Sequence, residues 1–217
     1  MIDLSHLDEA GFAMTQPTNY SWFPVGKRLC IPFEANQGRR VNAIGAYFSH
    51  GPCAGRFEFE TRVSVPQSKA KAPRKTPQER AETHGVEAGA VGTIDAECFL
   101  SFVWTLAGRP QGAGAEWKRE RPLVIVLDNY SIHKCERVEE EKPRWARADI
   151  HFFYLPSYTP EMSAIEPVWQ DVKHHELTKR SHEKLGDLQH DVGSALQSKA
   201  NKLQALHLSH QLPCGTT

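Results

Sequence analysis

Three carboxylates occupy positions from which they could do chemistry together. Asp8 closes the first stretch of strand character, Asp128 follows directly on the aliphatic run LVIVL at 123–127, and Glu166 sits between Ile165 and Pro167 where an apolar helix begins. Among 26 acidic residues the default for any one is a solvated surface carboxylate. The apolar settings of Asp128 and Glu166 set those two apart. Strand ends are where α/β proteins form sites, because loops there reach a ligand while the sheet holds them rigid. Such oxygen donors suit hard cations such as Mg²⁺, which takes few carboxylates and fills its shell with water and substrate phosphate oxygens. Two such ions can activate a water or a 3′ hydroxyl and stabilise the leaving oxygen of an in-line phosphoryl displacement. Glu9 and Glu161 are the neighbouring alternatives to Asp8 and Glu166.

The elements that must hold these residues follow from periodicity. Apolar and β-branched runs at 2–7, 28–33, 40–48 and 57–65, parted by Gly, Pro and Asn, predict a β-meander. Residues 66–90 start polar, Pro-rich and basic and continue as a Glu/Gly/Ala stretch unsuited to a core, so a mobile insertion loop is expected. Ile94, Cys98, Phe99, Phe102, Val103 and Leu106 recur at three- and four-residue intervals, predicting an amphipathic helix over 93–106 with Thr93 as N-cap and Glu97 near capping-box distance. The uninterrupted run at 123–127 is that of a central strand covered on both faces. A charged helical stretch at 134–147, a strand at 150–155, a Pro-punctuated loop and a helix from near Met162 follow. This order predicts an α/β fold, a mixed sheet flanked by helices.

The chain of 217 residues is 40% hydrophobic and 24% charged, which suits one soluble globular domain. No apolar run approaches the ~18 residues that cross a bilayer, and the N-terminus has neither the basic nor the apolar region of a secretory signal. A cytoplasmic protein with no membrane partner is expected. Five scattered cysteines with no CxxC spacing argue against both disulfides and zinc. Lys plus Arg equals Asp plus Glu at 26 each, so the chain lacks the basic excess that captures DNA electrostatically. Its one concentrated basic run is Lys69, Lys71, Arg74, Lys75 and Arg80; a solvated insertion is the plainer reading and a DNA-contacting loop the sharper one.

Three blocks tie the carboxylates to a family. LDEAGF (7–12), LDNYSIH (127–133) and above all LPSYTPEMSAIEPVW (155–169) resemble the signature blocks of bacterial insertion-sequence transposases in the mariner-like superfamily of DDE transposases. The third block is similar to the family run LPPYSPELNPIEPVW, with Ser, Thr and Met at three positions and Ser163-Ala164 in place of Asn-Pro. The resemblance covers residues from about 3 to 200. It implies a ribonuclease-H-like α/β fold, akin to retroviral integrases, with a mixed five-stranded sheet flanked by helices. The catalytic domain would be 1–205, followed by a C-terminal tail, 206–217. It further implies DNA strand cleavage and strand transfer, with Asp8, Asp128 and Glu166 as catalytic triad and as ligands of Mg²⁺ or Mn²⁺, two ions in all. The 37 residues between Asp128 and Glu166 are close to the spacing usual for the group. Implied partners are transposon-end and target DNA and a second copy of the chain, since these transposases generally work as dimers. Asn129 and His133 fall in the family's DN-x-x-x-H block. Lys173 shares a helix face with Glu166 and Gln170 at ~3.6 residues per turn and matches a basic residue thought to reach phosphate in integrases. These three are the candidate DNA contacts, with an Asx cap, a structural turn and a solvated lysine as their plainer roles.

Members of the family carry an N-terminal helix-turn-helix module, whereas only seven residues precede Asp8. That module is expected to be absent or to be supplied as a separately encoded DNA-binding half. The departure raises a second reading, an inactive remnant or partner subunit that keeps the fold without catalysis. A third, a related nuclease acting on RNA or hybrids, shares the triad but not the third block.

Overall fold

The computed structural model describes residues 1–16, 24–27, 38–65, 75–156, 159–179 and 181–211. Its strands are β1 (Asp3–Ala13), β2 (Arg40–His50), β3 (Phe57–Ser64), β4 (Leu123–Leu127) and β5 (Ile150–Tyr154). Its longer helices are α1 (Pro77–His84), α2 (Ala96–Leu106), α3 (Glu136–Arg147), α4 (Glu166–Asp171) and α5 (Leu185–Gln211). One mixed five-stranded sheet forms in the order β3-β2-β1-β4-β5. The first three strands run antiparallel as a meander, while β4 and β5 lie parallel to β1. Parallel neighbours need a crossover connection, which α2 supplies before β4 and α3 before β5. The α/β sheet flanked by helices predicted from the sequence is the one that forms. The expected run at 28–33 lies outside the described residues.

Alternation along the strands loads both faces. Ala10, Phe12, Val41, Ala43 and Val63 pack with Ile165, Val168, Trp169 and Val172 and with Leu188, Val192 and Leu196 of α5. Leu7, Ile44, Phe48, Ile125 and Leu127 pack on the opposite face with Phe99, Phe102 and Leu106 of α2 and with Val138 and Trp145 of α3. Sandwiched sheets with period-two strands on both faces are what hold strand ends rigid. Val168 and Trp169 are core residues.

Several local expectations change. Residues 66–74 lie outside the described residues, but the rest of the presumed insertion loop contains α1. This helix is closed by a capping box between Thr76 and Glu79 and ends on Gly85 in the left-handed region. Ala81 and Ala90 are buried, so this Ala-rich stretch does meet the core. Lys75 donates to Thr83, and Arg80 lies within α1; Lys69, Lys71 and Arg74 lie outside the described residues. The N-cap of α2 is Asp95, whose carboxylate accepts from the Cys98 N–H at 3.0 Å, in place of Thr93. The last helix continues past residue 205 to Gln211, so the expected domain boundary falls inside α5. Among the described residues no helix is long and apolar enough to cross a membrane.

Candidate active site

The three carboxylates meet because strands of unequal length lie side by side. β1 pairs with β4 only from Asp3 to His6, opposite Leu123 to Val126, yet it pairs with β2 over nearly its whole length. Asp8 is therefore in the middle of β1 and not at its end, as its sequence setting suggested. The strand that ends there is β4, which stops at Leu127 and leaves Asp128 just beyond it. Glu166 opens α4, with Pro167 behind it at a position where a missing N–H costs nothing. Asp8, Asp128 and Glu166 line one cleft of about 390 Å³ together with Asn129, Tyr130 and Ser163.

A glycine fixes how low α4 sits. Gly45 of β2 is the partner of Asp8 across the sheet, and a Cβ there would lie 2.6 Å from the Trp169 ring and 3.0 Å from Phe57. The Trp169 ring rests where that Cβ would be, edge-on to Phe57 with centroids 5.6 Å apart. Trp169 lies three residues after Glu166, so its seat also sets the height of the carboxylate. Gly45→Ala is expected to lower unfolding free energy by ~1–3 kcal/mol through overpacking. Urea titration measures it, and an unaltered midpoint would show that Trp169 is not seated there.

Burial raises the Asp8 carboxyl from its ordinary 3.8 to about 7; the Glu9 backbone N–H opposes this, and the charges of Glu9, Glu166 and Asp128 add to the rise. None of the described residues lining the cleft is basic. An all-oxygen, acidic donor set with no Lys or Arg in its lining fits a hard divalent cation, the charge that would relieve it. Among the described residues no three His, Cys, Asp or Glu side chains stand close enough to enclose an ion ready-made. To enclose one the carboxylates would have to draw together, and the Asp128 side chain, 59% exposed, has room to move.

Behind the cleft, His133 is fully buried and joins two strands. Its Nε2 lies 3.1 Å from Glu9 Oε1 of β1, and its Nδ1 lies 3.1 Å from Asp128 Oδ1 and 3.3 Å from the Asp128 carbonyl. Burial alone would lower its pKa, but the hydrogen bond and charge of Glu9, followed by the contacts with Asp128, raise it overall. A direct phosphate contact, one of its expected roles, is closed to a fully buried ring, whose contact on the cleft side is Asp128. Glu9, set aside as an alternative to Asp8, is the other end of this clamp, and the sequence offered no sign of the pairing.

Asn129 donates to the Leu155 carbonyl at 2.6 Å and accepts from Lys134, tying the end of β4 to the end of β5. Tyr130 N–H donates to Asp128 Oδ1 at 2.9 Å, an Asx turn that orients the carboxylate. The altered turn before Glu166 has its own support. Ala164, standing where the family run that this block resembles has proline, has an N–H, and it donates to His6 Nδ1 at 3.2 Å. Burial first and the charge of His50 second lower the His6 pKa, which favours the neutral ring that can accept.

Two expected placements do not hold together. Gln170 lines a different depression, next to Asp171 and Lys199. A π-turn at Val172–Glu176 follows α4, and Lys173 Nζ lies 5.7 Å from the Phe12 ring centroid. Phe12 is four residues beyond Asp8 on β1, roughly 13 Å along a strand. Lys173 thus stands past the cleft and not over it. Glu161 is exposed and does not line the cleft.

Comparison with known proteins agrees with this architecture. A family model described as DDE superfamily endonuclease matches residues 79–189, just over half of the chain, and includes Asp128 and Glu166. A curated relative, the "Insertion element IS630 uncharacterized 39 kDa protein" of Shigella sonnei, is 28% identical over 71 residues, 32% of this chain and 19% of its own. Among solved structures, the Mos1 transposase paired-end complex with left transposon end superposes with a TM-score of 0.52 at 11% identity, covering 93% of this chain and 52% of that one. The Mos1 strand transfer complex gives 0.51 at 13% identity, covering 94% and 52%. At such identities the likeness is one of fold, here the ribonuclease-H-like sheet. The chain spans about half of those structures and a fifth of the curated relative.

Proposed function

Since the chain belongs to the DDE superfamily endonucleases, we propose that it is a transposase catalytic domain, cutting DNA strands and joining them by phosphoryl transfer. The observation that carries this reading is the joint lining of one cleft by Asp8, Asp128 and Glu166. These three would hold Mg²⁺ or Mn²⁺, as two ions, which when bound supply Lewis-acid activation of a water or 3′ hydroxyl and stabilise the leaving oxygen. The chain's own residues prepare the site. His133 and the Tyr130 N–H fix Asp128, Asn129 locks the two strand ends together, and His6 holds the turn that delivers Glu166. Asn129, at the rim, and Lys173, farther along, are the proposed direct contacts to DNA, with His133 contributing through Asp128. The partners are transposon-end and target DNA, a second copy of the chain and a DNA-binding module, in the cytoplasm.

Supercoiled plasmid is expected to be nicked in Mg²⁺ or Mn²⁺ and spared in chelator, with duplex DNA cut faster than an RNA–DNA hybrid. Cleavage that ignores the chelator, or a preference for the hybrid, would sink the reading. The open spacing of the carboxylates favours one alternative, a partner subunit or remnant that keeps the fold without catalysis. Calorimetry with Mn²⁺ separates the two, since a remnant takes up no ion that depends on these carboxylates.

A further inference from the structure

Asp8, Asp128 and Tyr130 line two depressions. Beside the cleft runs a groove of about 460 Å³ lined also by Gly11, Arg40, Asn42 and Thr93. It follows β1 beyond the end of β4, where that edge of the strand has no ladder partner among the described residues. Tyr130 stands at the junction and is 49% exposed. Its backbone is held by the Asp128 carboxylate, and its ring meets His133 edge-on, 5.8 Å between centroids. Arg40, opposite Ala13 in the register, has no ion-pair partner among the described residues. Ala13 lies five positions beyond Asp8, roughly 17 Å along the strand. At ~3.4 Å per nucleotide that is several steps of a DNA strand.

The cleft lining has no basic side chain to hold the sugar-phosphate backbone beyond the reacting phosphate, and the chain as a whole carries no net charge. A strand brought there needs affinity that does not depend on charge, which an exposed aromatic supplies by stacking on any base. We propose that the groove carries one DNA strand away from the catalytic carboxylates, with Tyr130 as the platform for the base beside the reacting phosphate and Arg40 as a contact to a phosphate further along. This rests on the transposase reading.

Single-stranded DNA carrying 2-aminopurine at successive positions, titrated with the full chain in Ca²⁺, tests it. One position is expected to be quenched by the wild-type protein and by Tyr130→Phe. Tyr130→Ala should lose that quench and bind about 5- to 150-fold more weakly. Arg40→Ala should keep the quench and reduce the slope of log affinity against log salt by about one. If Tyr130→Ala binds and quenches as the wild type does while wild-type nicking is metal-dependent, the strand path is wrong and the transposase reading stands. A wild-type chain that neither binds nor nicks DNA removes both.

Discussion

In metal-free buffer at pH 8, Asp8→Asn is expected to melt at a higher temperature than the wild-type protein, and with Mg²⁺ or Mn²⁺ present to nick DNA on the order of 10³-fold or more slowly. Asp128→Asn should lose nicking equally and gain no such stability, because its side chain is 59% exposed. The contrast follows from where the two carboxylates lie. Asp8 is carried on a strand inside the sheet, and burial, with the neighbouring charges of Glu9, Glu166 and Asp128, raises its pKa from 3.8 to about 7. Below pH ~3.8 the carboxyl is protonated in both folded and unfolded chains, and the group leaves stability unchanged. Between ~3.8 and ~7 the unfolded chain has released the proton that the folded chain retains, so stability falls as pH rises. Above ~7 both are ionised and the penalty is complete. At ~1.36 kcal/mol per pH unit its upper bound is on the order of 4 kcal/mol, and at ~2–4 °C per kcal/mol for a chain of this size the shift is several degrees. Asn removes the charge and the penalty together. Added Mn²⁺ should raise the wild-type melting temperature more at pH 8 than at pH 6, since the ion competes with the Asp8 proton. The variant should not respond. A variant that melts below the wild type, or gains equally from Mn²⁺, would show that Asp8 is not the strained carboxylate of the site.

The same burial explains which parts of the site the sequence reveals. A strand covered on both faces reads as an unbroken aliphatic run, so β4 and Asp128 are plain in residues 123–128. Glu166 is marked by Pro167 and by the long third block. The length of β1 is hidden, because Asp8, Glu9 and Gly11 interrupt its pattern and only its partner β2 shows that it runs on to Ala13. The contacts that support the site join residues far apart in the chain, 124 positions for His133 with Glu9 and 158 for Ala164 with His6. Periodicity carries no signal for such pairs. A helical wheel placed Lys173 on the face of Glu166 because it assumes constant phase; the π-turn breaks that phase. At α2, Thr93 and Asp95 are both good caps by type, so residue type alone does not choose between them, and the helix starts behind Asp95.

The clamp behind Asp128 yields the second large effect. His133→Ala is expected to lose ~2–4 kcal/mol of stability and to lower nicking by at least about tenfold, chiefly in kcat. The imidazole fills a fully buried space against Phe99, with ring centroids 4.8 Å apart, so its removal leaves a cavity. It also leaves Glu9, only 18% exposed, with its carboxylate stripped of the partner it has at 3.1 Å. A buried group deprived of its partner costs more than the pair contributes. Because the Glu9 and Asp128 contacts raise the His133 pKa despite burial, this stabilisation is fully present below the unfolded value of ~6.5 and is lost as pH rises through the higher folded value. A purely structural histidine would predict the same loss of stability, so the discriminating measurement is a double-mutant cycle read in kcat. His133→Gln and Glu9→Gln each loosen the clamp from one end, and if Glu9 acts on Asp128 only through His133, the double variant should be no slower than the worse single one. Strict multiplication of the two losses would mean that Glu9 and His133 influence the reaction separately, and the relay from β1 to Asp128 would have to be abandoned.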